Sequence, residues 1–571
     1  MRTILIAAAL LIAACFAYMK LTANGVERAA GQLSYIPADT AMLAVQLEPL
    51  ELAHYLQQLQ GQLSPQDAQH TVAMLTALLS TSDTNSGHFF AALLEQFQHL
   101  LKQPEHMAER TGIKQEFRGL FYLVGLSPVS RFELADEQAF WRFFDRIEQQ
   151  SQLWHQAEEL HGVAYRRYTL SSLNGHNLDL LVSSRDGWGT LVLTSSGFDS
   201  AHHAEALAIH KPVDALSWKK SITPLTKRYQ LDEASFGMLS SAELFKAITS
   251  NNQNRLARDL HALYGDELSV TLADWRTPAC QADTAAIAAN WPGIYFDNQL
   301  NKQPASSRVL IASSDKTAMA SLRQLRGFIA PHIQQPTGDN LLQFGLGLNV
   351  GQLLPTIGEL WSATVHASFQ CKPLTEVQMA LETSNPLAAM AMVAMGGSIK
   401  GLSLSIHDVQ IDPATHMPTA VDALVSLSAD NAHSLLHSLM MLAPNQLDIE
   451  LPEQGVAVEL NELFPMAAAY GLAPKLLLAR DHALIYQGEQ ATQQAKVLAG
   501  TALSQNGMLH FGLNYARLFG VLADSMAAAG MDLPDDLASI QDNPYQLDLS
   551  LDIEAQGIAI ESRMYLDAKA D

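Results

Sequence analysis

Phe511-Gly512-Leu513-Asn514, running into an apolar stretch from Leu518 to Met526, decides how the chain is read. Apolar residues in alternation make a strand, a polar residue closes it, and leucines at helical spacing follow. The same order recurs at Leu346-Gly347-Leu348-Asn349 ahead of Leu353 to Trp361, and at Phe236-Gly237-Met238-Leu239 ahead of Ala242 to Ser250. It occurs again at Thr40 to Leu47, where Glu48-Pro49 leads into Leu50, Ala53, Leu56 and Leu59. Glycine inside a strand admits another backbone or helix closely, and Asn or Ser ahead of a helix offers an N-cap acceptor. Arg308 to Ser313, Ala420 to Ser426 and Ala483 to Tyr486 also pass from strand into helix. The spacing between these units is irregular, which predicts degenerate strand-turn-helix duplications and not a solenoid of fixed period.

Hairpins interrupt the alternation. Asn177 to Ser183 and Gly189 to Thr194 flank Asp186-Gly187, a strong two-residue turn, and Leu402 to Val409 faces Val421 to Leu427 across Pro413 and Pro418. Hairpins mixed with single crossover helices predict an α+β fold: antiparallel sheets with helices packed on one face. Compositional breaks near Thr277-Pro278 and from Pro444 to Pro452 divide the body into α+β domains at 35–275, 276–445 and 446–571, after a signal segment at 1–20 and a linker at 21–34.

The 571 residues leave room for a substantial core, and 48% hydrophobic against 16% charged residues argues against disorder. A net charge of −23, with only isolated basic pairs such as Arg166-Arg167 and Lys219-Lys220, makes nucleic acid an unsuitable partner. Ile4 to Met19 is an apolar run between Arg2 and Lys20. As a helix it falls short of a full bilayer span, so it reads as a signal anchor or a signal sequence. Either places the body across the bacterial inner membrane, facing the periplasm. Ile12-Ala13-Ala14-Cys15 resembles a lipobox, so lipidation of Cys15 is the alternative. Beyond it lie only Cys280 and Cys371, which predict one disulfide in an exported chain. Such a bridge stabilises by about 4–5 kcal/mol on the loop-entropy argument.

Tyr35-Ile36-Pro37-Ala38-Asp39-Thr40, with Leu47-Glu48-Pro49 after the strand, resembles the opening of an uncharacterised family of membrane-anchored bacterial envelope proteins. Phe121 to Phe132, with Ala139-Phe140 beyond it, is similar to the same family. The resemblance implies location and architecture, and carries no catalytic residues.

Templates for chemistry fail one by one. Ser313-Ser314-Asp315-Lys316 has Ser-x-x-Lys spacing without the accompanying motifs, so Ser314 or Asp315 reads as a helix cap. Gly345, Gly347 and Gly351 lack dinucleotide-loop spacing and read as close-packing positions. His433 and His437 are one turn apart with no Glu between them, and His202-His203 reads as equally structural. Asp535-Asp536 and Glu158-Glu159 diverge as neighbours, and Phe140-Trp141-x-Phe143-Phe144 with Ile147 makes a core stripe. Met390, Met392 and Met395, beside Gly396-Gly397, are the candidates for an adaptable apolar ligand or partner surface.

The sequence thus predicts a non-enzymatic envelope protein that binds or scaffolds another envelope component and needs no cofactor. A carrier or sensor of lipid or another apolar ligand is the alternative, and an enzyme with a site assembled from distant segments the third. Alkylating the denatured, unreduced protein is expected to leave the peptides carrying Cys280 and Cys371 unlabelled; label on both refutes the bridge.

Overall fold

The computed structural model describes residues 31–51, 85–173, 175–299, 302–384, 387, 396–412, 418–442, 451–460, 472–528 and 545–566. The apolar run at Ile4 to Met19, Cys15, Met390, Met392 and Met395 lie outside them. The chain forms two compact units: unit 1 comprises Met1–Ser314 with Phe369–Thr375, and unit 2 comprises Asp315–Ser368 with Glu376–Asp571. The boundary read near 276 falls inside unit 1, and the one near 446 inside unit 2.

Unit 1 holds β1 (Met42–Glu51), β2 (Glu116–Val124), β3 (Ser127–Glu133), β4 (Gln156–Leu160), β5 (Val163–Leu173), β6 (His176–Arg185), β7 (Trp188–Ser195), β8 (Ser235–Ser240), β9 (Gly293–Gln299) and β10 (Ala305–Ala312). They pair antiparallel in the order β4-β5-β6-β7-β3-β2-β1-β8-β9-β10. Helices α1 (Asn85–Lys102), α2 (Glu137–Ser151), α3 (Ser200–Ala206), α4 (Ser241–Thr249), α5 (Arg255–Thr271) and α6 (Pro278–Asn290) accompany them.

Unit 2 holds β11 (Leu342–Leu346), β12 (Ile399–Ile411), β13 (Pro418–Ala429), β14 (Ala457–Glu459), β15 (Lys475–Leu478), β16 (His482–Gln487), β17 (Leu509–Asn514), β18 (Tyr545–Ile553) and β19 (Gly557–Leu566). Their antiparallel order is β14-β15-β16-β13-β12-β11-β17-β18-β19. Its helices include α7 (Val350–Val365), α8 (Lys372–Thr383, whose first turn belongs to unit 1), α9 (Ala432–Leu442), α10 (Glu489–Ala499) and α11 (Tyr515–Ala528).

The fold is α+β with antiparallel pairing, and the two strand orders correspond except for β4, an edge strand of unit 1 with no counterpart among the described strands of unit 2. In each unit a first strand (β1 or β11) lies between a hairpin (β2–β3 or β12–β13) and a three-strand run (β8–β9–β10 or β17–β18–β19). β7 or β16 then joins the hairpin's outer side.

Helices on one face only do not describe unit 2. Successive β16 residues point to opposite faces. Ala483 packs with Ala432 of α9, whereas Leu484 packs with Ala491, Ala495 and Leu498 of α10. A continuous run such as Leu476-Leu477-Leu478, buried throughout, is what coverage of both faces requires.

Local details follow the chemistry of the opening motif. Ser240 caps α4 by accepting from the Glu243 N–H at 3.3 Å, and Asn514 accepts from the Arg517 N–H at 3.0 Å. Asn349 does not cap α7, because its Oδ1 accepts from Lys400 Nζ at 2.9 Å. Leu50, read as the start of a helix, belongs to the strand: β1 runs on to Glu51, with Leu50 opposite Phe117 and an irregularity between Gln46 and Leu50 that accommodates Pro49, while Ala53, Leu56 and Leu59 lie outside the described residues. The Asp186-Gly187 hairpin forms as read, with φ of 53° and 76°.

The strand glycines are held by space. A Cβ on Gly237 would stand 2.1 Å from the Phe296 ring and 2.8 Å from the Leu43 carbonyl oxygen. Gly237→Ala is therefore expected to lower the denaturant midpoint with a loss of about 1–3 kcal/mol; an unchanged midpoint refutes this tight fit.

Candidate functional site

Two places in the chain gather polar chemistry, and one gathers an unusual apolar surface. The first polar place is in unit 1, at the turn between β2 and β3. Gly125 takes φ +56° there, and the following Leu126 N–H donates to Asp259 Oδ2 of α5 at 2.8 Å. Ser127 Oγ lies 2.8 Å from His202 Nε2 of α3 and donates to Thr194 Oγ1 at 2.8 Å. His202 Nδ1 is 3.6 Å from Asp259 Oδ1. The sequence had set His202 aside with His203, since nothing in local spacing joins residues 127, 202 and 259.

Ser, His and Asp in this order suggest acyl transfer, but the environment does not serve it. Ser127 is fully buried, at 0% exposure, within the strand pairing. Burial pushes the His202 imidazole down to about 4 and the Asp259 carboxyl up to about 7. Between those values both groups are neutral, so their contact is not an ion pair and Asp259 does not supply the charge that would support an imidazolium. The cluster ties the β2–β3 turn to α3 and α5.

The second polar place is a cleft of about 680 Å³ in unit 1, where the Pro-Ala-Asp-Thr element meets α5. Asp39 accepts from the Arg255 N–H at 2.8 Å and from its guanidinium at 2.7 Å, while Glu205 takes the guanidinium's other edge at 2.9 Å. Thr40 Oγ1 accepts from the Leu123 N–H at 3.1 Å, and Arg131 stacks over Tyr35 at 5.0 Å. Segments 35–40 and 121–132 thus meet. Glu243, Lys246 and Arg258 complete a wall of mixed charge, with Lys246 Nζ 2.6 Å from Glu243.

The apolar surface belongs to unit 2. Leu342, Phe344 and Leu346 of β11 share a face with Leu402, Leu404 and Ile406 of β12, Leu509, Phe511 and Leu513 of β17, and Leu547, Leu549 and Leu551 of β18. Val425 of β13 and Ile485 of β16 continue it. None of these residues is buried: Leu402 stands 39% exposed, and Val425 and Ile485 38%. The alternate residues, Gln343, Ser403, Ser405, His407, His510, Asn514 and Asp548, are the buried ones.

Alternation in Leu402-Ser403-Leu404-Ser405-Ile406-His407 was legible, but the ordinary rule puts the apolar member inside. An irregular segment from Arg326 to Leu341 reverses it. Laid over the polar face, its backbone is hydrogen-bonded by the sheet and the β17 approach: the Ile329 N–H donates to Asn506 Oδ1 at 2.7 Å, Asn506 Nδ2 to the Ile329 carbonyl at 2.8 Å, and Asn514 Nδ2 to the Gly338 carbonyl at 2.8 Å. Gly345 and Gly347 read as close-packing positions and are so: an added Cβ would meet Ile329 at 2.6 Å and the Gly507 carbonyl oxygen at 2.3 Å.

α7 and α11 lie against β12 and β18, and α9 against β13 and β16. They do not close the leucine face. In α7 only Val350 and Thr356 are buried, leaving Leu353, Leu354, Ile357, Leu360 and Trp361 part-exposed. Tyr515, Leu518, Phe519 and Val521 of α11 are part-exposed as well. An apolar helix is normally buried. The matching layer of unit 1 is closed by aromatics instead: Phe89, Phe140, Phe144 and Tyr168 are all buried, with Phe140 and Phe144 at 5.2 Å. The Phe140 to Ile147 stripe is core, as read.

The other sequence candidates resolve simply. Cys280 and Cys371 form a disulfide within unit 1, with both residues fully buried. Asp315 caps the helix after β10 by accepting from Thr317 and Ala318 N–H groups at 3.0 Å. His433 and His437 are exposed on α9. Among the described residues no group of three or more His, Cys, Asp or Glu is placed to hold a metal, and no helix is long and apolar enough to cross a membrane. Comparison with known family models, curated proteins and solved structures found no match to this chain.

Asp259 gives this part of the molecule a measurable pH signature. Its folded carboxyl holds the proton up to about 7, so the folded form binds more protons than the unfolded chain from pH ~4 upward. Stability contributed by this group is present below pH ~4 and is lost as pH rises to ~7. His202 acts oppositely, losing stability as pH falls from ~6.5 towards ~4. Asp259→Asn removes the first effect alone. The stability of the wild type relative to the variant is expected to fall by about 2 kcal/mol or more between pH ~4 and ~7, read from denaturant midpoints; a constant difference refutes the shift.

Proposed function

We propose that this chain is a non-enzymatic binding protein of the bacterial envelope, held at the inner membrane by its amino terminus and facing the periplasm, whose unit 2 takes up a lipid or similar apolar ligand on the leucine face. The apolar run at Ile4 to Met19 and the Cys280–Cys371 bond favour that location, with lipidation at Cys15 as the other route to the membrane.

The sequence reading ranked a scaffold for another envelope component first and a lipid carrier second. One observation reverses that order: a broad aliphatic sheet face and the helices over it are both left part-exposed. Each buried methylene contributes about 0.8 kcal/mol, so an acyl chain sliding between sheet and helices gains what the protein's own side chains have not taken up. A monomer that exposes aliphatic surface over so many strands normally does so at a binding site. The corresponding strand orders support descent of both units from one duplicated unit, after which unit 1 kept an aromatic filling and unit 2 an aliphatic slot. The reading stays non-enzymatic because Ser127, which would be the nucleophile, is fully buried in the strand pairing.

Native mass spectrometry of the full chain, extracted gently from membranes, is expected to show a co-purifying lipid, and a fluorescent fatty acid is expected to bind. Val425→Glu with Ile485→Glu, both at exposed positions, is expected to weaken fatty-acid binding about tenfold or more by setting carboxylates beside the chain. A protein that is consistently empty and does not bind the probe refutes the reading.

A further inference from the structure

We propose that the first turn of α7, with Lys400 and Asn349, is the site for the anionic head of the apolar ligand, so that unit 2 selects acyl chains ending in a carboxylate over neutral ones. The inference rests on the lipid-binding reading of the leucine face, and every residue of the site belongs to unit 2.

Where β11 passes into α7, Asn349 stands at the position from which Ser240 and Asn514 accept a hydrogen bond from their own helices. Its Oδ1 accepts from Lys400 Nζ at 2.9 Å instead, and two sets of donors are left over. The N–H groups of Val350 and Gly351 have no acceptor among the described residues. Such an end of a helix carries partial positive charge and attracts anions. The Asn349 amide nitrogen also donates to no described residue, although Asn349 is only 8% exposed. Since nitrogen and oxygen of an amide share one carbon, this donor lies beside the Lys400 ammonium. A buried donor without an acceptor costs stability, and an oxyanion would satisfy it.

An irregularity in β12 places the cation. The register with β13 shifts between Ile399 and Gly401, which leaves Lys400 with no residue directly opposite. Its ammonium reaches Asp430, just ahead of α9, at 3.0 Å. Ala432 of α9 packs with Ala483, whose row across the sheet runs through Leu427, Leu402 and Leu346 of the leucine face. Lys400 thus stands at the end of that face, two residues before Leu402. A Cβ on Gly351 would lie 2.6 Å from the Gly397 carbonyl oxygen, so the first turn of α7 is pressed on backbone near the cation. Asp430 is the carboxylate already on Lys400, but it is 62% exposed, and ion pairs at the surface contribute little. A ligand carboxylate bonded to Lys400, the Asn349 amide and the α7 N–H groups gains more charge-assisted bonds than Asp430 makes, and displaces it.

The test titrates the full chain with two fluorescent probes of one chain length, a fatty acid and its methyl ester. Wild type is expected to bind the acid about tenfold more tightly than the ester. Lys400→Met is expected to remove that preference and to leave the ester's affinity unchanged. Asp430→Asn takes away the competing carboxylate and is expected to tighten acid binding about threefold. Circular dichroism establishes that each variant is folded; where Lys400→Met is not, the wild-type preference and Asp430→Asn decide. Equal affinities for acid and ester in wild type, a preference that survives in folded Lys400→Met, or acid binding unchanged in Asp430→Asn overturns the head site while leaving the lipid reading standing. A wild type that takes up neither probe overturns both.

Discussion

An irregular stretch of backbone laid across a sheet must find a partner for each peptide group it buries. In unit 2 that requirement falls on the face beneath Arg326 to Leu341, where Asn506, Asn514, Ser403 and Gln343 supply side-chain partners. Strand geometry then leaves no choice about the other face. With polar residues and glycines at the alternate positions, the leucines, Ile406 and the two phenylalanines all turn to the opposite face. The aliphatic layer is thus a consequence of where the loop is seated.

The two units put corresponding strand orders to different ends. Over β3, β5, β6 and β7, large rings from α1 and α2 interlock with Tyr168 and exclude water. Rings suit this task because they cover much area with few rotatable bonds. Unit 2 presents branched aliphatic side chains at the corresponding layer, and the helices above add more leucine without reaching full contact. Close-packed interiors rarely leave such a layer underfilled. Within unit 1, the charged cleft and the buried Ser127–His202–Asp259 cluster share helix α5, through Arg255 and, one turn later on the same face, Asp259.

Much of the architecture was open to reading from local pattern. The strand-to-helix passages at Ser240 and Asn514, the Asp-Gly hairpin, the Phe140 stripe and the single cysteine pair each depend on residues close in sequence or unique in composition. What local pattern misjudged is instructive. Pro49 does not end its strand, which shifts register beside it, and Asn349 does not cap its helix, because a lysine 51 residues away holds its side chain. The alternation in β12 was visible, but which half of it is covered depends on a loop about sixty residues upstream. Ser127, His202 and Asp259 meet only through tertiary folding, and no spacing rule could have joined them.

The short segment Phe369–Thr375 lies in unit 1, although the chain before it, from Asp315, and after it belong to unit 2. Synthesis delivers Cys280 91 residues ahead of Cys371. Unit 1 is therefore left with an unpaired thiol and an open place beside α6 until a stretch of the second unit has emerged. Assembly of this molecule is interleaved: the first body is completed by a piece that arrives only after the second has begun.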